Sequence, residues 1–115
     1  MGEAFVTPAD CFMSGPVHEL ALLEVRAGEE VAFEAALKSA IPLISATPGF
    51  VSLRVDRCIE KTNRYALHVE WETIEAHTEG FRGSDRYEHW RALLHHFYDP
   101  FPTVDHYRTI ARSES

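Results

Sequence analysis

The chain has 115 residues, of which 45% are hydrophobic and 25% are charged, values typical of one small globular domain. Its formal net charge of −7 argues against nucleic acid or an anionic membrane surface as a binding partner. No apolar run approaches the roughly 20 residues of a membrane-spanning helix, and the first residues lack the pattern of a secretory signal. Cys11 and Cys58 do not make a disulfide framework, so we predict a cytoplasmic protein with reduced thiols.

The first half of the chain predicts one strand and one helix. The short apolar run Val17–Arg26 is typical of a half-buried strand, and Gly28 ends it. Hydrophobic residues then recur at three- and four-residue spacing, which predicts a helix with one buried stripe. The stripe consists of Phe33, Ala36, Leu37, Ala40, Ile41 and Ile44. Pro42 is expected to kink this helix or to end its regular part, because proline removes a backbone donor.

A hairpin is predicted next. After the Thr47–Gly49 turn, the alternation of residues 50–59 predicts a strand with three apolar side chains on one face, namely Val51, Leu53 and Val55. Residues 64–71 predict the returning strand. Four of its side chains lie on one face of this strand, namely Tyr65, Leu67, Val69 and Trp71.

The remaining pattern predicts two helices and a last strand. A short helix is expected at 73–81 and a longer one at 86–97, whose start resembles a capping box formed by Asp85 and Glu88. The longer helix carries an apolar stripe of Tyr87, Trp90, Leu94 and Phe97. The final strand is predicted at 103–110, where His106 shares a face with Val104 and Ile110.

The order strand, helix, strand, strand, helix, strand predicts an α+β, ferredoxin-like βαββαβ fold, with a four-stranded antiparallel sheet and both helices on one face. The domain is assigned to residues 17–112, between an N-terminal arm at 1–16 and a tail at 113–115. The opposite sheet face mixes polar side chains with leucines from the first strand. We therefore expect a second copy to cover this face in a homodimer.

Four segments resemble the antibiotic biosynthesis monooxygenase (ABM) family of dimeric α/β-barrel proteins. They are LEVRAGEEVAFEAAL, TPGFVSLRV, VEW followed by ET-x-EAH, and WRALLHHFYDPFPTVDHY. Their order and spacing match those of the family, and together they cover nearly the whole predicted domain. The resemblance implies a homodimer with a small pocket in each subunit, between the sheet and the helices. It also implies oxidation of aromatic phenols to quinones by dioxygen without metal, flavin or other prosthetic group.

Carried over residue by residue, the resemblance places the tryptophan that ends the third strand of the oxygenases at Trp71. Their pocket tyrosine falls at His77 and their strand asparagine falls at Leu67, so two of three polar positions differ. A haem-degrading branch uses an asparagine on the first strand, a helix tryptophan and a helix histidine. The two helix positions fall at or beside Phe81 and Trp90, and the first strand has no asparagine, so this set is absent.

Trp71 and His77 are the predicted catalytic residues. Trp71 is either a core residue of the inner sheet face or a pocket wall on which an aromatic substrate stacks. His77 follows the strand closely, where an imidazole with a pKa near neutral would suit a base that forms an electron-rich phenolate. The alternative for His77 is a structural hydrogen bond to Glu75 or to the backbone.

The predicted substrate pocket is lined by six further side chains, namely Leu67, Phe81, Tyr87, Trp90, Leu94 and His106. Each also has a structural interpretation, as a core residue on its helix or strand or, for His106, as a buried hydrogen-bonded histidine. Arg82 either binds a substrate carboxylate or pairs with Asp85, and the salt bridge is the favoured interpretation.

The helix histidines His89, His95 and His96 do not form a chelating pair, because none are four residues apart, and the cysteines share no motif with them. No glycine-rich nucleotide-binding turn and no nucleophile elbow is present. We therefore predict no metal and no cofactor. The functional hypothesis is a cofactor-independent monooxygenase that acts on a small phenolic or hydroquinone-like substrate with dioxygen. Alternatives are a non-catalytic dimeric protein that binds an aromatic or quinone-like ligand, and a haem-binding member of the family.

Overall fold

The computed structural model describes residues 15–113, and its elements follow the predicted order. One antiparallel sheet contains the strands β1 (Val17–Glu24), β2 (Phe50–Arg57), β3 (Arg64–Trp71) and β4 (Val104–Tyr107) in the order β2-β3-β1-β4. The helical elements are α1 (Glu30–Ser45), a π turn (Ala76–Phe81), α2 (Asp85–Leu94) and a 3₁₀ turn (His95–Phe97). The ferredoxin-like fold is thereby confirmed.

The predicted N-terminal arm falls on residues 1–16, and all but its last two residues lie outside the described range, as does Cys11. The last two residues of the predicted tail also lie outside it, so the domain bounds 17–112 stay a prediction. Within residues 15–113, no helix has the length and apolar character needed to cross a membrane.

The core lies between one face of the sheet and the helices. Alternate residues of β1 and β3 are buried, as their two-residue period predicts. The predicted stripe of α1 faces them: Phe33, Leu37, Ala40 and Ile44 are buried, and Ala36 and Ile41 are partly buried. Pro42 does not end the helix, which continues to Ser45.

Strand β2 differs from the prediction at its first residues. Phe50 pairs with Trp71 but Ser52 pairs with Glu70, so a bulge inserts one residue between them. The extra residue shifts the alternation, and Val51 is 52% exposed while Phe50 packs edge-on against Trp71 with ring centroids 5.9 Å apart. The prediction that Val51 shares the buried face was therefore wrong.

The ends of two later elements also differ from the prediction. Ser84, rather than Asp85, caps α2, because its Oγ accepts a hydrogen bond from the Tyr87 backbone N–H at 3.4 Å. The predicted long helix is α2 followed by the 3₁₀ turn. Strand β4 ends at Tyr107, and Ile110 is 87% exposed, so it does not share a buried face with His106.

Gly49 allows the π turn to lie close to the start of β2. Its φ is +89°, and a Cβ added there would lie 2.7 Å from the Ala76 Cβ. Gly28 has a similar φ of +90° but nothing within 4 Å of such a Cβ, which makes it a matched control. We expect Gly49→Ala to lower the free energy of unfolding by about 3 kcal/mol and Gly28→Ala by about 1 kcal/mol, because only the first adds a steric clash to the backbone strain. Urea denaturation measures both values, and equal losses would contradict the role of the Ala76 contact.

Candidate active site

A cavity of about 410 Å³ lies between the sheet and the helices. This volume falls within the range of roughly 300–1,000 Å³ that is typical of small-molecule sites. Its walls combine polar side chains with five aromatic ones, namely Phe81, Tyr87, Trp90, Tyr98 and Phe101. Leu67 and Ala21 form part of its sheet side. The cavity can therefore surround a small flat ligand.

Glu19 is the polar centre of the cavity. It occupies an inward position of β1, only 4% of its surface is exposed, and it lines the cavity. The Trp71 indole N–H donates a hydrogen bond of 2.8 Å to Glu19 Oε1, and His77 Nε2 lies 3.5 Å from the same oxygen. In register, Glu19 lies opposite His106 of β4. We call Glu19, Trp71, His77 and His106 the Glu19 cluster.

His77 connects Glu19 to the last strand. Its ring stacks on that of Trp71, with centroids 5.3 Å apart and an interplanar angle of 18°. On its other side, His77 Nδ1 lies 2.7 Å from His106 Nε2, so one of these two nitrogens carries a proton and donates a hydrogen bond to the other. When His106 is the donor, the proton of neutral His77 is on Nε2 and faces Glu19. When His77 is the donor, its Nε2 can accept a proton from Glu19.

Burial sets the protonation states of the cluster. It raises the pKa of Glu19 to about 7, against the opposing effects of the Trp71 hydrogen bond and the Arg82 charge. It lowers the pKa of His77 to about 3, with further lowering by Arg82 and His106, and it also lowers the pKa of His106. Neutral histidines are therefore favoured over a buried ion pair, because removing two charges from water costs more than a 3.5 Å contact returns. The pKa near neutral that would suit a base is therefore found at Glu19 and not at His77.

These shifts predict a pH dependence of stability. The pKa of Glu19 rises from 4.5 to about 7 on folding, so its contribution is fully present below pH 4.5 and is lost as pH rises through 7. The lowered pKa of His77 has the opposite effect, since its contribution is lost as pH falls from 6.5 towards 3. Glu19→Gln should remove only the first effect. Between pH 5 and 8, the variant should gain roughly 2–3 kcal/mol of unfolding free energy relative to the wild type.

Thermal or urea unfolding of both proteins at several pH values measures this gain. Glu70→Gln is the control, because Glu70 lies on β3 with a half-exposed side chain. A stability difference that stays constant from pH 5 to 8 would contradict the assigned pKa of Glu19.

The structure brings most of the predicted site residues together. Those that line the cavity are Leu67, His77, Phe81, Tyr87 and Trp90. Trp71 and Leu94 are both 0% exposed and are not part of the cavity wall, so their contact with a ligand stays a prediction. Trp71 instead supports Glu19 and His77. His106 is also outside the wall and contacts His77 from the side of the sheet edge.

Several residues at the cavity were not predicted. Glu19 interrupts the inward alternation of Val17, Ala21 and Leu23, and an acidic residue at such a position is the signal that identifies it. Three others, His95, Tyr98 and Phe101, follow α2; His95 was considered only as a metal ligand, and the segment after it only as a helix end. The predicted pair of Arg82 with Asp85 is not formed in the described part of the chain, and Arg82 lines the cavity instead. No group of three or more His, Cys, Asp or Glu side chains that could hold a metal ion occurs within residues 15–113.

These features define a class of protein: a ferredoxin-like domain with a cluster of one acidic residue and two histidines beside a cavity with aromatic walls. The chain belongs to the antibiotic biosynthesis monooxygenase family, whose sequence profile matches residues 16–93. It is 50% identical over 94 residues to the uncharacterized protein YczJ of Bacillus subtilis (strain 168). The aligned residues cover 82% of this chain and 99% of that protein.

Solved structures agree with this assignment. A candidate antibiotic biosynthesis monooxygenase from Bordetella bronchiseptica is similar with 34% identity and a TM-score of 0.81, over 85% of this chain and 100% of the other. The cofactor-independent oxygenase SnoaB from Streptomyces nogalater is similar with 20% identity and a TM-score of 0.67, over 88% of this chain and 97% of the other. The second likeness shows the fold alone.

Proposed function

We propose that this chain is a cofactor-independent monooxygenase that oxidises a small phenolic or hydroquinone-like substrate with dioxygen. The observation that carries the proposal is a carboxyl group, Glu19, with a pKa of about 7, which lines an aromatic-walled cavity. A base with a pKa near the working pH is well matched to removing a phenolic proton. Membership of the antibiotic biosynthesis monooxygenase family supports the same class of reaction.

In the proposed reaction, ionised Glu19 accepts the phenolic proton of the bound substrate. The phenolate then passes one electron to dioxygen, and the resulting superoxide and substrate radical combine to form a carbon–oxygen bond. The peroxide loses its O–O bond, the ring carbon loses its hydrogen, and water leaves. The sum is one phenol and one dioxygen giving one quinone and one water.

The other members of the Glu19 cluster hold and move the proton. Trp71 keeps the carboxylate in place through its hydrogen bond of 2.8 Å. His77 lines the cavity beside Glu19, and its contact with His106 gives a proton taken up by Glu19 a path towards the sheet edge. His77 and His106 thus take the role of proton carriers, while Glu19 replaces His77 as the primary base.

Oxygen-electrode measurements on a panel of anthrones, naphthols and hydroquinones, with and without EDTA, test the reaction. We expect uptake that is insensitive to EDTA, yields a quinone and falls sharply in His77→Ala. His89→Ala is the matched control, because His89 is exposed on α2 and is not part of the cavity wall. No uptake with saturable quenching of tryptophan fluorescence would favour the binding-protein alternative, and a Soret band on hemin titration would favour haem binding.

The proposed protein acts as a cytoplasmic homodimer. Its outer sheet face exposes Leu22 and Tyr107, each 51% accessible, and apolar side chains of this size favour burial by a second sheet. The cytoplasmic placement rests on the sparse use of cysteine in the sequence. Light scattering of the full chain should give twice the monomer mass, and a monomer at micromolar concentration would contradict the dimer.

A further inference from the structure

We infer that Arg82 makes the cavity selective for substrates that carry a carboxylate or a similar anion at the end opposite the reacting hydroxyl. The inference rests on the proposed function for the identity of the reacting end, and it extends that function by naming a substrate class. Its elements are the position of Arg82, the absence of an ion pair between Arg82 and a carboxylate in the described range, and the neutral state of the cavity residues His77, His95 and Tyr98.

The backbone fixes where Arg82 lies. Its N–H donates to the His77 carbonyl at 3.0 Å, and the N–H of Gly83 donates to the Glu79 carbonyl at 3.0 Å. A Cβ at Gly83 would come within 2.5 Å of that carbonyl oxygen, so glycine is needed for this close turn. Arg82 therefore follows directly after the buried wall residue Phe81 and is itself exposed, which places it at the mouth of the cavity.

Arg82 forms no ion pair with a carboxylate among residues 15–113, although its charge lowers the pKa of Glu19 in the same cavity. Other arginines form ion pairs with carboxylates there, namely Arg26, Arg54, Arg57, Arg64 and Arg91. The side chain of Arg82 makes no such pair within the described range, and its sequence neighbour Asp85 does not serve as one. A guanidinium at the mouth of a cavity, in a chain of net charge −7, is thus available to an anionic ligand.

Three ionisable groups of the cavity, His77, His95 and Tyr98, add no charge that competes for that ligand. Burial lowers the pKa of His77 and of His95 and raises the pKa of Tyr98, which keeps all three neutral near pH 7. The positive charge of Arg82 also lowers the pKa of Glu19, so its field extends to the deep end of the cavity. A guanidinium binds a carboxylate through paired, charge-assisted hydrogen bonds. A ligand held at Arg82 by its anion would then present its hydroxyl towards Glu19.

The test compares two ligands that differ in one carboxylate, 1-naphthol and 5-hydroxy-1-naphthoate. Binding to the full chain is measured without oxygen, by tryptophan fluorescence quenching, in the wild type, Arg82→Gln, Arg82→Lys and the control Arg91→Gln. Arg91 is exposed on α2, is outside the wall of this cavity, and its loss changes the net charge equally. We expect Arg82→Gln to weaken binding of the naphthoate by about tenfold and to leave naphthol unchanged. Arg82→Lys should retain part of the preference for the naphthoate over naphthol. Added salt should reduce this preference in the wild type.

A wild type without a preference for the carboxylate, or an equal loss for both ligands in Arg82→Gln, would overturn the inference. So would an Arg91→Gln variant that loses as much naphthoate affinity as Arg82→Gln. Parallel oxygen-uptake measurements separate this inference from the proposed reaction. Uptake without carboxylate preference defeats the role of Arg82 alone, whereas carboxylate-selective binding without uptake supports Arg82 and defeats the oxygenase proposal.

Discussion

Replacing Glu19 with glutamine should lower the rate of oxygen uptake by about 10²- to 10⁴-fold, the usual contribution of a positioned general base. The glutamine amide keeps an oxygen that can accept the Trp71 hydrogen bond, so the fold and the cavity should survive the change. The glutamine side chain cannot accept a proton near neutral pH, so the variant loses the proposed base. The side chain of Glu19 is the residue in the cavity wall whose pKa, about 7, fits that task.

The pH dependence of the wild-type rate provides the matching control. The rate should rise with the ionised fraction of Glu19 and level off above pH 7, since the pKa of this group is about 7. Glu70→Gln, on the other face of the sheet, should keep both the rate and this profile. A Glu19→Gln variant that reacts at the wild-type rate would return the role of base to His77.

Replacing Trp71 with phenylalanine should move the inflection of the same pH–rate profile to higher pH. The Trp71 indole N–H donates to Glu19 Oε1 at 2.8 Å, and this hydrogen bond lowers the pKa of Glu19 against the effect of burial. Without the donor, the ionised form loses its main stabilising contact. The buried position also loses volume, so we expect a decrease of about 1–3 kcal/mol in the free energy of unfolding.

Rate profiles and urea denaturation of Trp71→Phe measure the two effects. Trp90→Phe is the matched control, because Trp90 lines the cavity but is not part of the Glu19 cluster. It should alter ligand affinity and leave the inflection in place. A Trp71→Phe variant with an unchanged inflection would show that the indole only fills space.

The fold was predictable because its strongest signals are local. The two-residue alternation of β3 and the three- and four-residue spacing of α1 each identify a buried face without reference to the rest of the chain. Errors arose where one residue breaks the period. The bulge after Phe50 turned Val51 outwards, and no pattern within β2 indicates an inserted residue.

The site was less predictable because its properties depend on contacts between distant segments. His77 was identified from its place after β3, but its lowered pKa depends on burial and on Arg82, which no spacing rule describes. Trp71 was expected to contact substrate, yet the ring of His77 stacks against it. Glu19 becomes a site residue because β1 lies between β3 and β4, which places it beside Trp71 and opposite His106.

The short strand β4 makes the proposed catalysis depend on the least extensively paired part of the sheet. It has four residues, lies at the sheet edge, and pairs with β1 from His18 to Ala21. Opening of this strand would withdraw His106 from His77 while the pairing of β1 with β3 stays intact. Local fraying at an edge requires less free energy than global unfolding. Mild heating or low denaturant should therefore inactivate the protein while most amides of β1 and β3 are still protected from hydrogen exchange.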